Sequence, residues 1–260
     1  MSNSPTGTPV ELASKGVYYK SGRSQVNLDV IRGEYEAMLA DATSQTFPRI
    51  ATQVLTDLSS DLPVDSFEKL LIGDKYHLLF ELRIRSYPDG SDYCFDVTCP
   101  SCSAPNRMTV DLKKDVVIKA VPADAIEPFL VDLPTAGVAV KLRLMRVEDE
   151  IDMHKWVRRE RQKKTLRGDP AYYYAIARGI LEIDDKEVTF DEAVSFVKTA
   201  AGADTLVLRD ALDDHDVGPE LDMEFTCDSC NHYWWQRLPM GADFFRPGLA
   251  KRRRASRAEI

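Results

Sequence analysis

The chain has no long apolar run, and this absence excludes a membrane-spanning helix from the sequence pattern. Among its 260 residues, the longest apolar stretch runs from Ala171 to Ala177, is rich in tyrosine and ends at Arg178. A spanning helix needs about 20 consecutive apolar residues. With 44% hydrophobic and 29% charged residues, the composition is that of an ordinary globular protein with one large domain or two small ones.

Histidine is scarce and catalytic motifs are missing, which argues against the common enzyme classes. The spacing of the four histidines suggests neither a metal site nor a catalytic triad. The sequence contains no glycine-rich phosphate loop, no Gly-x-Ser-x-Gly and no His-Glu-x-x-His. Paired carboxylates such as Asp184-Asp185 and Asp213-Asp214 fall in turns or at helix ends, where solvation and capping explain them. We therefore expect no catalytic residues and no small-molecule substrate.

Cysteine is also scarce, but four of the five cysteines form two Cys-x-x-Cys pairs, Cys99-Pro-Ser-Cys102 and Cys227-Asp-Ser-Cys230. Each pair lies between two strand-like runs, and strand, knuckle, strand is the pattern of a zinc ribbon. Four thiolates suit tetrahedral zinc, and a site whose four ligands are all protein has no open position for a substrate. We therefore predict one structural zinc per chain, bound by Cys99, Cys102, Cys227 and Cys230.

Two other uses of the cysteine pairs remain open at this stage. A thioredoxin-like redox pair would stand at a helix N-terminus, whereas a strand-like run follows each pair here. Disulfides would suit a secreted protein, but the first residues lack the basic and apolar regions of a signal peptide, which favours a reducing cytosol. Cys94 lies outside both pairs and is expected to be a free thiol. His232 is expected to support a neighbouring group rather than to replace a sulfur ligand.

Charge is distributed unevenly along the chain. The formal net charge is −8, yet residues 246–260 carry six basic side chains and one acidic one, which leaves −13 for the rest. An acidic body argues against broad nucleic-acid binding. The basic end either stays solvated or reaches a phosphate or an acidic partner. Arg252, Arg253 and Arg254 are therefore candidate partner-binding residues.

The helix, strand and turn signals predict an α+β fold, in which mostly helical regions are joined by a small β zinc ribbon. We expect an extended N-terminal arm (1–26), a helical N-terminal region (27–90), a zinc ribbon made of 91–115 and 217–246, a strand-plus-helix insertion (116–216) and a basic C-terminal tail (247–260). Asn27, Asp74 and Asp204 are predicted to cap helices. Thr189 and Glu192 fit a capping box.

Two short segments are candidate partner-binding surfaces. The N-terminal arm, with Tyr18 and Tyr19, has too few apolar residues to pack alone and is expected to order on a partner. The closing segment carries Phe244 and Phe245, and adjacent residues of an extended chain point to opposite sides. One of the two is therefore expected to anchor in a neighbouring subunit. The alternative is that one is buried and the other loosely covered by its own chain.

An ordered set of short motifs runs through most of the chain, roughly residues 9–247. In order, they are Val10-Glu-Leu-Ala-Ser-Lys-Gly-Val-Tyr-Tyr19, Leu70-Leu-Ile-Gly-Asp74, Leu78-Leu-Phe-Glu-Leu-Arg-Ile-Arg-Ser-Tyr87, Thr98-Cys-Pro-Ser-Cys102, Gly179-Ile-Leu-Glu-Ile-Asp-Asp-Lys-Glu-Val188, Phe225-Thr-Cys-Asp-Ser-Cys230 and Phe244-Phe245. With these motifs, the chain resembles the baseplate hub and hub-assembly proteins of contractile-tailed phages related to the T-even group. The arginine-rich segment after Pro247 is not part of the resemblance.

The resemblance implies a non-enzymatic structural or assembly protein found in or near the tail baseplate. It implies a place in the host cytoplasm during assembly, and it leaves open whether the protein then stays in the virion or acts only as an assembly factor. It implies other hub, wedge or tail-tube proteins as partners and leaves self-association open, without a membrane or a small-molecule substrate. The alternative is a nucleic-acid-associated or regulatory zinc-ribbon protein, which would need basic residues and exposed aromatics around the cysteines. Trp234 and Trp235 are present, but phosphate would be repelled by the acidic residues around them, Asp96, Asp222, Glu224 and Asp228.

Overall fold

The N-terminal third of the chain combines a small sheet with three helices. The computed structural model describes residues 7–43, 45–163 and 166–245. Three short strands pair antiparallel in chain order, β1 (Thr8–Glu11), β2 (Gln25–Leu28) and β3 (Ser59–Ser60). The helices are α1 (Gly33–Ala40), α2 (Phe47–Leu58) and α3 (Ile72–Ser86), with a 3-10 turn at Phe67–Lys69 before α3. Helix α2 is amphipathic, and its buried face includes Val54, Leu55 and Leu58.

The segment that was expected to be an extended arm is folded onto α3 from residue 7 onward. Tyr19 is buried; its hydroxyl donates to Asp74 Oδ2 (2.5 Å) and accepts from the N–H of Leu71 (2.9 Å). The N–H and hydroxyl of Ser14 donate to the two carboxylate oxygens of Asp74 at 2.8 and 2.6 Å. Asp74 is fully buried, and burial raises its pKa. The expectation of an arm that orders only on a partner is therefore wrong for residues 7–26.

A hairpin and a long insertion follow α3. The hairpin consists of β4 (Asp92–Thr98) and β5 (Pro105–Asp111). The insertion contains, in order, β6 (Ile118–Lys119), β7 (Phe129–Asp132), β8 (Ala139–Leu142), α4 (Val147–Lys163), α5 (Pro170–Ala177), β9 (Ile180–Ile183), β10 (Lys186–Glu187), α6 (Phe190–Thr199) and α7 (Gly202–His215). Strands β7 to β10 form an antiparallel sheet in the order β10-β9-β8-β7. The capping box predicted at Thr189 and Glu192 is confirmed at the start of α6.

The insertion ends beside the point where it begins. Strand β11 (Gly218–Pro219) pairs antiparallel with β6. Gly218 has φ +106° and lies against Gly73 of α3, where an added Cβ would stand 1.7 Å from the carbonyl oxygen of Val217. The absence of side chains at Gly73 and Gly218 therefore lets α3 pack directly on the base of the insertion.

A second hairpin, β12 (Asp222–Thr226) and β13 (Tyr233–Arg237), follows this base, and a 3-10 turn at Ala242–Phe245 ends the described chain. The inner faces of the two hairpins pack together, with the rings of Phe95 and Phe225 edge to face at 5.7 Å. The mixture of seven helices and small antiparallel sheets in the described residues makes the fold α+β.

The three predicted single-residue caps have other roles. Asn27 lies in β2, where its amide donates to Asp61 Oδ2 (2.5 Å), and the first helix begins at Gly33 instead. Asp74 lies in the first turn of α3 and binds the N-terminal segment. Asp204 lies in the first turn of α7. Its carboxylate accepts hydrogen bonds from the backbone N–H groups of residues 135 and 136 in the β7–β8 turn, at 2.8 and 3.1 Å. These carboxylates stabilise tertiary contacts rather than helix ends.

Both phenylalanines of the closing segment are in the core, each 0% exposed. The ring of Phe244 lies 5.0 Å from that of Tyr93 and 5.5 Å from that of Phe80. The ring of Phe245 lies 6.3 Å from that of Phe47. The expectation that one of them is free to anchor in a neighbouring subunit is therefore wrong. It assumed an extended segment, whereas a 3-10 turn directs both rings into the same chain.

Replacement of Phe244 by alanine is expected to lower the free energy of unfolding by about 3–5 kcal/mol, because it leaves a cavity between Tyr93 and Phe80. Leu130→Ala is the matched control, since it removes an exposed side chain of β7 and should change stability by no more than about 0.5 kcal/mol. Urea denaturation of the purified chain measures both values. Equal effects of the two substitutions would contradict the burial of Phe244.

Candidate metal centre

The two Cys-x-x-Cys turns have the same backbone structure. In the first, the N–H of Ser103 donates to the carbonyl of Cys99 (3.0 Å); in the second, the N–H of Asn231 donates to the carbonyl of Cys227 (2.9 Å). Ser103 and Asn231 have φ values of +60° and +54°, in the left-handed region that a tight turn of this kind requires. Each turn therefore presents its pair of sulfurs in the same way.

Backbone N–H groups inside each turn point at the first sulfur of the pair. The N–H of Ser101 lies 3.4 Å from Cys99 Sγ, and the N–H of Ser229 lies 3.4 Å from Cys227 Sγ. Cys99 and Cys227 are buried. Such N–H groups stabilise a sulfur that carries negative charge, as a metal-bound thiolate does.

The fold brings the four sulfurs of Cys99, Cys102, Cys227 and Cys230 together, all within 4.8 Å of one another. Cys99 Sγ lies 3.8 Å from Cys230 Sγ, and Cys102 Sγ lies 3.6 Å from Cys227 Sγ. A tetrahedral zinc with Zn–S distances of about 2.3 Å separates its sulfurs by about 3.8 Å. A disulfide needs about 2.05 Å. The donor set and its spacing therefore fit a metal ion that joins the two hairpins.

The neighbouring sulfurs perturb one another's ionisation. Burial favours the neutral thiol of Cys227, but hydrogen bonds from the N–H of Ser229 and from nearby groups outweigh it and lower its pKa to about 6. At Cys230 the N–H of His232 lowers the pKa of the thiol. Hydrogen bonds with the other sulfurs, of which the one with Cys102 has the largest effect, outweigh it and raise the pKa to about 12. Crowded thiolates repel, so four of them require a cation between them.

Two residues that were expected to stay outside the site do so. Cys94 is not a member of the cluster, and its Sγ lies 3.3 Å from Thr109 Oγ1 on the outer side of the first hairpin. The ring of His232 stacks on that of Trp234, with a centroid distance of 6.2 Å and an interplanar angle of 9°. His232 therefore supports the second hairpin next to the cysteines.

Asn106 is a site residue that the sequence analysis missed. Its buried side chain joins the two cysteine turns: Oδ1 accepts the N–H of Asp228 (2.9 Å), and Nδ2 donates to the carbonyl of Ala104 (2.9 Å). Its position in the strand could have identified it from the sequence, because Asn106 shares the inner face of β5 with Met108 and Val110. A polar residue on an apolar strand face needs a partner, and here the partner lies across the site.

The aromatic residues that were predicted to bind partners are not exposed. Tyr18 is buried, its hydroxyl donates to the carbonyl of His215 (2.8 Å), and burial raises its pKa to about 12. Tyr19, Phe244 and Phe245 are buried as described above. Arg252, Arg253 and Arg254 lie outside the described residues.

These features define an α+β protein whose two hairpins meet at a four-cysteine site. A family model described as T4 bacteriophage base plate protein matches residues 29–246, and the chain therefore belongs to this family. The resemblance predicted from the motifs is thus confirmed at the level of the family. No curated protein and no solved structure matches the chain. Among the described residues, no helix combines the length and apolar character that crossing a bilayer requires.

Asn106→Ala is expected to lower the free energy of unfolding by about 1–3 kcal/mol, because it leaves the N–H of Asp228 without its acceptor. Thr109→Ala, on the outer face of the same strand, is the control and should have a smaller effect. Thermal or urea denaturation measures the difference. If the two substitutions lower the free energy of unfolding by the same amount, Asn106 does not link the cysteine turns.

Proposed function

We propose that this chain is a non-enzymatic structural or assembly component of a contractile phage tail baseplate, located in the hub region and stabilised by one zinc ion. Family membership is the observation that carries the baseplate role, because the matched residues 29–246 include both hairpins and the whole insertion. The motif resemblance to hub and hub-assembly proteins supports the hub in particular.

The cysteine cluster supports a structural role for the zinc. One ion bound by all four sulfurs has a closed coordination sphere and no position for substrate or an activated water. What zinc supplies when bound is folding free energy, on the order of 10 kcal/mol in zinc-finger peptides. The residues of this chain prepare the site by holding Cys99 and Cys227 in N–H-lined turns and by joining the turns through Asn106.

The position of the cluster indicates what the zinc would stabilise. Cys99 and Cys227 are 128 positions apart, and the insertion lies between them. Its two ends are paired through the two-residue strands β6 and β11. A metal that joins the hairpins would fix the chain on both sides of this short pairing. The direction in which the insertion leaves the rest of the protein would then be set by the fold.

Buried carboxylates elsewhere in the chain serve structure, which supports the non-enzymatic assignment. Burial favours the neutral form of Asp149, but bidentate hydrogen bonds from Arg143 (2.7 and 2.9 Å) and a third from Arg178 (2.5 Å) outweigh it and lower its pKa. The buried pair of Lys75 and Glu150 likewise connects α3 to α4. These groups join secondary-structure elements and do not converge on a substrate position.

In this role, the chain acts in the host cytoplasm during assembly and is carried in the virion tail. Its partners are other hub, wedge or tail-tube proteins, with additional copies of itself among the candidates. Neither a membrane nor a nucleic acid is a proposed partner of the folded part, whose formal charge is strongly negative.

Protein purified without chelator is expected to contain about one zinc per chain, in line with four thiolate ligands per ion. Cys227→Ser removes a buried ligand and should lower both the zinc content and the free energy of unfolding. Cys94→Ser is the control, because Cys94 lies outside the cluster. Elemental analysis and urea denaturation provide the readouts. A fully folded wild-type chain without metal would refute the zinc proposal.

Phages that encode Cys227→Ser are expected to produce fewer complete tails and a lower infectious titre than phages that encode Cys94→Ser. The reason is that a destabilised hub component is depleted before it assembles. Electron microscopy of the particles provides the structural readout, and side-chain-resolution imaging of wild-type tails should locate the chain at the baseplate hub. Normal tails in the complete absence of this chain would rule out the baseplate role.

A further inference from the structure

One face of the second hairpin exposes two aromatic rings. Tyr233 and Trp235 are 49% and 60% exposed, and they follow each other at alternate positions of β13. We call this side of the hairpin the outer face; it consists of Asp222, Glu224, Thr226, Tyr233, Trp235 and Arg237. Cross-strand pairing places Glu224 opposite Trp235 and Thr226 opposite Tyr233.

The packing of the described residues leaves both rings exposed, although the side chain of Tyr233 hydrogen-bonds to Glu224. The inner face of the hairpin already carries Phe225, whose ring lies 5.7 Å from that of Phe95 and 6.3 Å from that of Trp234. Single exposed apolar residues are ordinary on protein surfaces. Two neighbouring aromatic rings beside carboxylates are a surface on which guanidinium groups bind well, because aromatic faces and carboxylates both attract cations.

The charge of the outer face favours a basic occupant. Asp222 and Glu224 lie on the face, and Asp228 lies in the turn beyond it. Arg237 is the basic residue of the face, and its Nη1 lies 3.5 Å from Asp222 Oδ2. A phosphate would be repelled here, whereas an arginine-rich segment would find both carboxylates and rings.

Such a segment is part of the chain itself. Residues 246–260 carry a net charge of +5, with Lys251, Arg252, Arg253 and Arg254 in succession, and they follow the last described residue, Phe245. The remainder of the chain carries −13. The tail therefore has the composition that the outer face would attract, and it is covalently present at high effective concentration.

The tail is long enough to reach the outer face of its own hairpin. A chain of neighbouring rings runs from Phe244 through Tyr93 and Phe95 to Phe225, with centroid distances of 5.0, 5.0 and 5.7 Å. The rings of Phe244 and Phe225 are therefore at most about 16 Å apart. The outer face lies on the opposite side of the same hairpin, about one sheet spacing of 10 Å further. Residues 246–254 span up to about 30 Å when extended, which is slightly more than this path of about 26 Å.

We propose that the outer face of the second hairpin is a binding surface for the basic tail of the same chain. The face supplies the rings of Trp235 and Tyr233 and the carboxylate of Glu224, which are groups that attract the guanidinium groups of an arginine-rich segment. The interaction occupies the exposed aromatic rings of the isolated protein and goes beyond the proposed baseplate role.

Limited trypsin digestion of the zinc-loaded full-length chain tests the proposal, with cleavage after Arg252, Arg253 and Arg254 followed by mass spectrometry. Cleavage is expected to be slower than in a synthetic peptide of residues 246–260. Trp235→Ala and Glu224→Gln should each accelerate it roughly fivefold, the factor for a lost contact of about 1 kcal/mol. Salt at about 0.5 M screens the charges and should therefore also accelerate cleavage of the chain. This rate is compared with that of the peptide in the same salt.

Leu130→Ala is the control variant, because Leu130 is equally exposed but lies in β7 of the insertion, and it should leave the cleavage rate unchanged. The protection should persist on tenfold dilution, as an interaction within one chain requires. Three results would overturn the proposal: cleavage as fast as in the peptide, no effect of Trp235→Ala and Glu224→Gln, or protection that disappears on dilution. The last result would assign the tail to a neighbouring copy instead. None of these outcomes depends on the baseplate role.

Discussion

The buried guanidinium of Arg83 is the contact on which the arrangement of the distant segments depends. Arg83 is 1% exposed and donates to the carbonyl oxygens of Gly90 (2.8 Å), Asp92 and Phe244. Burial lowers its pKa, but a guanidinium stays charged at neutral pH. The three acceptors belong to the turn after α3, the start of β4 and the closing 3-10 turn. A single cation therefore joins the helical region, the first hairpin and the C-terminal end of the described chain, and its loss would leave these carbonyls without their donor.

The first hairpin is consequently held at both ends by different chemistry. Strand β4 starts at the Arg83 contact and ends next to Cys99, where the four sulfurs gather. Between these ends, Tyr93 and Phe95 pack against Phe244 and Phe225, and the hydroxyl of Tyr93 donates to the carbonyl at position 239 (2.6 Å). The proposed zinc would therefore hold the end with the cysteine turns, whereas aromatic packing holds the other end. The association of the two hairpins therefore does not depend on one kind of contact alone.

The parts of the fold that the sequence predicted correctly are those decided by local patterns. Alternation around Cys-x-x-Cys gave both hairpins, and the Thr189–Glu192 box gave the start of α6, because these signals act within a few residues. The failures concern contacts between distant positions. Burial of Tyr19 depends on Asp74, which is 55 positions away, and Asn106 gains its role only when Asp228 arrives from the other hairpin. The orientation of Phe244 and Phe245 depends on a 3-10 turn that no local sequence pattern predicted.

Burial of the predicted anchors changes where a baseplate partner can bind. Tyr18, Tyr19, Phe244 and Phe245 are used inside the chain, so contacts with other proteins must come from surfaces that the fold leaves open. The insertion offers exposed apolar side chains on three of its elements, namely Leu130 on β7, Tyr172 on α5 and Leu206 on α7. Its base is fixed by the β6–β11 pair and by the close approach of α3. A surface held in place before binding loses less conformational entropy when a partner arrives. An insertion with a fixed base therefore suits a baseplate protein, because the family suggests assembly with other tail or baseplate proteins.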